Sequence, residues 1–193
     1  QLGAADLIAA LAALALGPEG AEGPTLVQGR PSRPDLAETL AERSLARVLP
    51  RAPRTARLAL AAGLLQMHDF WDASHAAAQE ADDLGERAAS AYWHGIAHRR
   101  EPDAGNASYW FRRVGRHPVF EPLAEAARPL LHEHGDPALT GRLLRGGTWD
   151  PFAFIDFCMM ARNGSPAETL ARRLQRREML LLLDHSAQVA GAV

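Results

Sequence analysis

The sequence predicts an all-α protein, a single-domain bundle of about eight or nine helices spanning residues 1–193. Apolar residues recur at helical spacing, proline and glycine mark the segment ends, and no stretch alternates long enough for a strand. With 193 residues, 47% of them hydrophobic, the chain can bury one core. No repeat of fixed period is present, which argues against a repeat architecture.

The first two thirds of the chain divide into helices at glycine, proline and acidic turns. An apolar first helix ends at Gly17-Pro18, and a Gly/Pro-rich irregular connection follows at about residues 17–34. The third predicted helix is long, and the fourth stops before Pro102 because the residue preceding a proline is disfavoured in a helix. The helices predicted here cover residues 4–16, 35–49, 55–80, 86–100, 106–114 and 121–134.

Three further helices begin with a capping residue directly before a proline. The pairs are Asp136-Pro137, Asp150-Pro151 and Ser165-Pro166, and Glu168 adds the spacing of a capping box to the last one. The final helix should extend to about residue 187. Its run of four arginines from residue 172 to residue 177 predicts a solvated face.

The basic side chains restrict the chemistry that the protein can perform. All 21 are arginine, because the sequence contains no lysine, and this excludes a pyridoxal phosphate Schiff base and a Walker-type nucleotide site. Arginine instead binds carboxylate or phosphate through its planar guanidinium group. The net charge of −2 argues against a dedicated binder of nucleic acid or anionic membranes.

The single cysteine, Cys158, excludes an internal disulfide and an iron–sulfur cluster held by one chain. Its apolar surroundings, residues 152–160, predict a buried and inert thiol. The apolar stretch at residues 7–16 is too short to span a membrane, and no basic segment precedes it. We therefore expect a cytoplasmic protein without membrane contact, and a homo-oligomer is left open.

Histidine is concentrated between residues 68 and 117, where five of the eight histidines lie. His68, Asp72 and His75 have the spacing i, i+4, i+7 on the third predicted helix, and His94, His98 and Glu101 repeat it on the fourth. At 3.6 residues per turn, each trio occupies a narrow stripe on one helix face. Two matched stripes on consecutive helices predict a site.

The short turn between these helices predicts an antiparallel hairpin. If the hairpin is centred near Asp83, His68 faces His98 and Asp72 faces His94. This quartet would bind a divalent metal ion such as zinc, iron or manganese, and His75 and Glu101 would be further ligands, hydrogen-bond partners of the ligands, or a general base. The candidate catalytic residues are His75, Glu101 and His117. A di-iron centre is disfavoured because one Asp-x-x-His element is present where di-iron bundles use two. A metal-free catalytic or binding cluster and a structural network are the alternatives.

A segment rich in arginine and aromatic residues follows His98. Its arginines could bind a carboxylate or phosphate beside an apolar wall. The candidate substrate-binding residues are Trp93, Arg99, Arg100, Asn106, Tyr109, Trp110, Arg112 and Arg113. Alternatively, each arginine flanks a helix and pairs with a nearby acid such as Glu101, Asp103 or Glu121.

The segment YWHGIAHRREPD at residues 92–103, with NASYWFRRVG at 106–115 and HPVF at 117–120, resembles a group of uncharacterised bacterial and fungal helical proteins. The resemblance extends over residues 63–120 and implies no catalytic residue.

The residues themselves lead to two functional hypotheses. The first is an enzyme that acts on a small anionic substrate through a His/Asp/Glu cluster, with metal-dependent hydrolase- or oxygenase-type chemistry. The second is a non-catalytic helical protein that binds a ligand or partner and contains a structural His/Asp network.

Overall fold

The structure, a computed structural model, describes residues 3–192. All regular secondary structure in this range is helical, which confirms the all-α prediction, but eleven α-helices are present rather than eight or nine. They are α1 (Ala4–Leu16), α2 (Ala37–Leu40), α3 (Glu42–Val48), α4 (Arg54–Met67), α5 (Trp71–Asp83), α6 (Ala89–Arg100), α7 (Ala104–Val114), α8 (Phe120–His134), α9 (Pro137–Leu143), α10 (Pro151–Met160) and α11 (Pro166–Val189). The higher count arises because two predicted helices are each divided in two.

The first division falls within the predicted helix 35–49, which was wrong as one continuous element. Ala41 has an extended backbone (φ −72°, ψ 151°) and separates α2 from α3. Leu40 and Leu45 are both buried, on either side of this break. In one straight helix, five residues would turn these side chains about 140° apart. The break lets both leucines enter the core.

The second division, within the predicted helix 55–80, changes the functional site. The helix ends at Met67, and Asp69 has a left-handed backbone (φ 64°) before α5 begins at Trp71. Aspartate tolerates this conformation better than most residues. The backbone N–H of Phe70 donates to Leu65 O at 3.0 Å and closes the turn. Residues 68 and 72–75 therefore do not share one helix.

The predicted helix starts at the three proline pairs are confirmed. The Asp136 carboxylate accepts a hydrogen bond from the backbone N–H of Leu139, and the Ser165 hydroxyl accepts one from Glu168. Asp150 accepts two, from the first residues of α10. Each side chain satisfies an N–H group that has no partner within the helix.

Helix α6 lies in the interior, and all twelve of its residues are buried. It packs against α4, α5, α7 and α11. Two glycines allow this close packing: a Cβ atom at Gly63 would lie 2.5 Å from Trp93 ring carbons, and one at Gly95 would lie 2.7 Å from the Phe111 ring. Any larger residue at either position would displace an aromatic ring.

The irregular connection after α1 forms no helix over residues 17–33 and is held by side chains of the helical core. Arg176 donates to the carbonyls of residues 16–18, and Gln175 and Arg100 donate to the carbonyl of Thr25. Within residues 3–192, no helix combines the length and apolar character needed to cross a membrane.

Candidate metal centre

Three histidines come together between α5 and α6. One ring nitrogen each from His75, His94 and His98 lies within 4.8 Å of the other two. His94 and His98 are one helical turn apart on α6, and His75 comes from α5. The connection between these helices spans residues 84–88, so the hairpin is centred near residue 86. This register sets His75 level with Ala97, next to His98.

Aromatic stacking fixes the orientation of the histidine rings. The His94 and His98 rings are nearly parallel at 5.0 Å, and His75 meets the edge of both, at 4.3 and 5.2 Å. Trp110 stacks on His94 at 3.8 Å, and Trp71 stacks on His75 at 4.9 Å. The Trp71 indole is itself held, because Nε1 donates to Ala97 O at 2.7 Å. The cluster is thus flanked by two tryptophans.

Hydrogen bonding in the cluster is incomplete. His94 is 1% exposed, and its Nδ1 is buried without a hydrogen-bond partner among residues 3–192. His98 has one partner, since its Nδ1 lies 2.8 Å from Oε2 of Glu101. A buried polar atom without a partner costs about 1–3 kcal/mol, so such atoms are rare unless they bind something else.

The surroundings of His75 and His94 keep these two imidazoles neutral. Burial lowers the pKa of His94 to about 3, and the nearby His75, His98 and Arg113 act in the same direction. The pKa of His75 is also lowered, mainly by burial and then by His98. A neutral imidazole has the lone pair that a metal ion requires. At neutral pH, His75 and His94 are in the ligand form.

The donor set fits a transition-metal ion. Three imidazoles with one coordination position left open are a common arrangement in catalytic zinc sites. Tetrahedral coordination at 2.0–2.1 Å places ligand nitrogens about 3.3 Å apart. Because the three nitrogens lie within 4.8 Å of one another, side-chain rotation could close the remaining distance.

A second potential group, formed by His98, Glu101 and Asp103, is explained by the local structure. Asp103 caps α7, where its carboxylate accepts hydrogen bonds from the backbone N–H of Asn106 at 2.9 Å and from its Nδ2 at 2.7 Å. Glu101 is paired with His98. Both carboxylates therefore already have defined roles.

The predicted quartet of His68, Asp72, His94 and His98 is not assembled. Nε2 of His68 lies 2.8 Å from Leu11 O, so this ring connects α4 to α1. Asp72 is exposed in the first turn of α5 and belongs to neither group of potential ligands. The break at Asp69 separates His68 from the stripe, and the shifted register brings in His75, which was predicted as a further ligand or a catalytic residue.

The predicted substrate-binding arginines have different environments. Arg99 is fully buried and donates to Glu178 at 2.6 Å and to Gln175 at 3.2 Å. Arg100 is fully buried as well, and its donors bind the Thr25 and Gln66 carbonyls, Oε1 of Gln66 and Oδ1 of Asp69. The hydrogen bonds of these two arginines thus join α6 to α11, to α4 and to the connection after α1. Arg112 is exposed on α7.

Arg113 is the predicted arginine that borders the cluster. It donates to both carboxylate oxygens of Asp82, and its guanidinium lies 5.2 Å from the Trp110 ring centre. Its side chain is 34% exposed. Tyr109, which is 48% exposed, lies beside Trp110 and Arg113.

The other predicted residues lie apart from the three rings. Trp93 is fully buried and donates to the Ser186 hydroxyl, and Asn106 is exposed beside Asp103. His117 is buried, accepts the backbone N–H of Val119 through Nδ1, and contacts Tyr92 and His185. These positions do not form one pocket with the histidine cluster.

Two residues of the site were missed by the sequence analysis. Trp71 lies one helical turn before His75, and Asp82 binds Arg113 across two helices. The spacing of four between Trp71 and His75 would have been informative once the helix start at residue 71 was known. The pairing of Asp82 with Arg113 depends on tertiary packing and has no local signal.

A surface groove of about 730 Å³ lies between α9 and α10, but none of the three histidines lines it. Two of its carboxylates, those of Asp136 and Asp150, already accept backbone hydrogen bonds as helix caps. The groove has the volume of a ligand site, whereas the histidine cluster has the converging donor atoms. The cluster is therefore the stronger candidate.

Comparisons of the chain with protein-family models, with curated proteins and with solved structures each find no match. The functional interpretation therefore depends on the geometry of the site, and the resemblance of residues 63–120 to a group of helical proteins stays a prediction.

Proposed function

We propose that the protein is a metal-dependent enzyme in which His75, His94 and His98 bind one divalent ion, such as zinc, iron or manganese. The observation that supports this function is the convergence of three imidazole nitrogens within 4.8 Å in a largely buried site. Of these rings, only His98 forms a hydrogen bond within residues 3–192. A metal ion would use the lone pairs that the fold leaves without partners.

The donor set favours hydrolase-type over oxygenase-type chemistry. Non-haem iron oxygenases use two histidines and a carboxylate, whereas three neutral imidazoles leave the full charge on the ion. When bound, such an ion acts as a Lewis acid on a substrate oxygen or lowers the pKa of a bound water molecule. Trp71 and Trp110 stack on His75 and His94 and hold these two rings in place.

Arg113 is the residue that would bind an anionic substrate. Its guanidinium lies 5.2 Å from the Trp110 ring centre, and Trp110 lies 3.8 Å from His94, so the guanidinium carbon is within 9.0 Å of the His94 ring centre. Arg87 approaches the same Asp82 carboxylate at 4.0 Å, so two cations share one anion. Among the described residues, Arg113 binds Asp82 through Nη2 alone, so its other N–H groups could bind a small carboxylate or phosphate substrate.

Metal analysis of protein purified without chelator tests this function. We expect about one ion per chain, lost in His75→Ala, His94→Ala and His98→Ala. The control variants are His132→Ala, an exposed position on α8, and His68→Ala, which belonged to the predicted quartet. Both controls should retain the metal. Failure of the wild type to bind zinc, iron or manganese after reconstitution would contradict the proposal.

The second candidate is a non-catalytic helical module in which the cluster stabilises packing. The stacked rings of Trp71, His75, His94 and Trp110 join α5, α6 and α7, which is the observation in its favour. This function predicts that the wild type contains no metal and that the cluster variants lose stability. Melting curves recorded on the same variants distinguish the two candidates.

A further inference from the structure

Glu101 is the one carboxylate, among the described residues, that is hydrogen-bonded to a histidine of the cluster. It directly follows α6, three residues after His98, and its Oε2 lies 2.8 Å from His98 Nδ1. The His98 ring is buried, whereas the Glu101 side chain is 39% exposed. The carboxylate therefore reaches a buried ring from the solvent side.

This contact determines which nitrogen of His98 carries the proton. An ionised carboxylate is an acceptor, so Nδ1 must be the donor. A neutral imidazole has a single ring proton, which leaves the lone pair on Nε2. Glu101 thus selects one tautomer and restricts rotation of the ring.

Asp72 and His75 provide a comparison on the neighbouring helix α5. Asp72 also lies three residues from a cluster histidine, but its side chain is exposed and forms no hydrogen bond with His75 in the described part of the chain. The spacing of three alone therefore does not produce the contact. The end of α6 turns Glu101 back toward His98, since the backbone N–H of Asp103 binds His98 O at 2.9 Å.

We propose that Glu101 is a positioning residue that holds His98 in the Nδ1–H tautomer, so that Nε2 is the atom available to a metal ion. The effect of this tautomer on metal affinity rests on the proposed function. In metal sites, a carboxylate that accepts the second ring N–H of a ligand histidine orients the ring and increases its basicity. Glu101 acts through His98 and does not itself bind the ion.

The tautomer can be measured in the metal-free protein by long-range proton–nitrogen NMR correlations of the histidine rings at about pH 8, above the ordinary titration range of histidine. We expect protonated Nδ1 and unprotonated Nε2 for His98 in the wild type. Glu101→Gln should keep this pattern because its amide oxygen still accepts, whereas Glu101→Ala should lose it. A wild-type His98 protonated on Nε2 overturns the proposal whether or not metal binds.

Zinc affinity, measured by competition with a chromogenic chelator, provides the second readout. Glu101→Ala should bind zinc about 10–100-fold more weakly than the wild type, and the affinity of Glu101→Gln should lie between those two. Asp72→Asn is the matched control and should bind as the wild type does. The positioning role is overturned if Glu101→Ala binds zinc as tightly as the wild type. It is also overturned if the wild type binds two zinc ions and Glu101→Ala loses one of them. If the wild type binds none of zinc, iron and manganese, the proposed function fails, and the NMR result alone decides the tautomer.

Discussion

The two faces of α6 are both polar and buried, yet they differ in how far their hydrogen bonds are satisfied. Toward α4 and α11, every guanidinium nitrogen of Arg99 and Arg100 except Nε of Arg99 forms a hydrogen bond, and Tyr92 donates to Glu178. Toward α5 and α7, His94 forms no hydrogen bond within residues 3–192. A buried network in which nearly every polar atom has a partner indicates a structural role, whereas converging ring nitrogens without partners indicate a ligand site.

The largest effect should follow from breaking the Arg99–Glu178 pair, whose side chains are both fully buried. Glu178→Gln leaves an uncompensated guanidinium in the core and should lower the free energy of unfolding by about 3–5 kcal/mol. Urea denaturation measures the change. The double variant Arg99→Met/Glu178→Leu should regain much of the loss because no unpaired charge remains. A loss below about 1 kcal/mol in Glu178→Gln would mean that the network is not structural.

The buried His117 should make stability depend on pH. Burial, and then the neighbouring His185, lowers the pKa of His117 to about 4. Between about pH 6.5 and pH 4 the unfolded chain therefore binds more protons than the folded one. The stability that neutral His117 contributes is fully present above about pH 6.5 and is lost as the pH falls. At pH 4 the free energy of unfolding is lower by roughly 3 kcal/mol. His117→Gln should show a flatter unfolding free energy over this window; equal slopes would contradict the assignment.

Arg100 joins the connection after α1 to the corner between α4 and α5. Lysine cannot reproduce its contacts with Thr25, Gln66 and Asp69 at once, so Arg100→Lys should cost about 2 kcal/mol. Limited proteolysis should also become faster within residues 17–33. The control Arg112→Lys, exposed on α7, should stay within about 0.5 kcal/mol of the wild type.

Features with a local signal could be predicted from the sequence, whereas features set by tertiary contacts could not. The capped starts at Asp136, Asp150 and Ser165 were correct because an N-cap followed by proline is a local signal. The break at Asp69 was missed because neither glycine nor proline marks it, and a left-handed aspartate is selected by tertiary contacts such as that with Arg100. Of the predicted quartet, His94 and His98 join the cluster, and His75 takes the third position.

The roles of the arginines could not be predicted, because the sequence does not show where their partners lie. Arg99 pairs with a glutamate 79 residues away, and Arg100 with a glutamine 34 residues away. The density of arginine after His98 favoured an anion site, but two of these side chains connect the fold internally. Such long-range pairing is decided by packing and not by local pattern.

The smallest effect should come from the same substitution, histidine to phenylalanine, made at each of two buried histidines. His68 has a partner, Leu11 O, whereas Nδ1 of His94 has none among residues 3–192. Phenylalanine keeps an aromatic ring in either place, including the stacking on Trp110. His94→Phe removes the unsatisfied atom and should stabilise the metal-free protein by about 1 kcal/mol.

His68→Phe should act in the opposite direction, because it leaves a buried carbonyl without its donor and costs about 1–3 kcal/mol. Thermal melts of the metal-free variants give the sign of each change. A stability loss in His94→Phe as large as that in His68→Phe would mean that the cluster histidines stabilise the fold, as the structural alternative requires. Opposite signs would mean that the fold gives up stability at His94, as expected for a residue kept for binding.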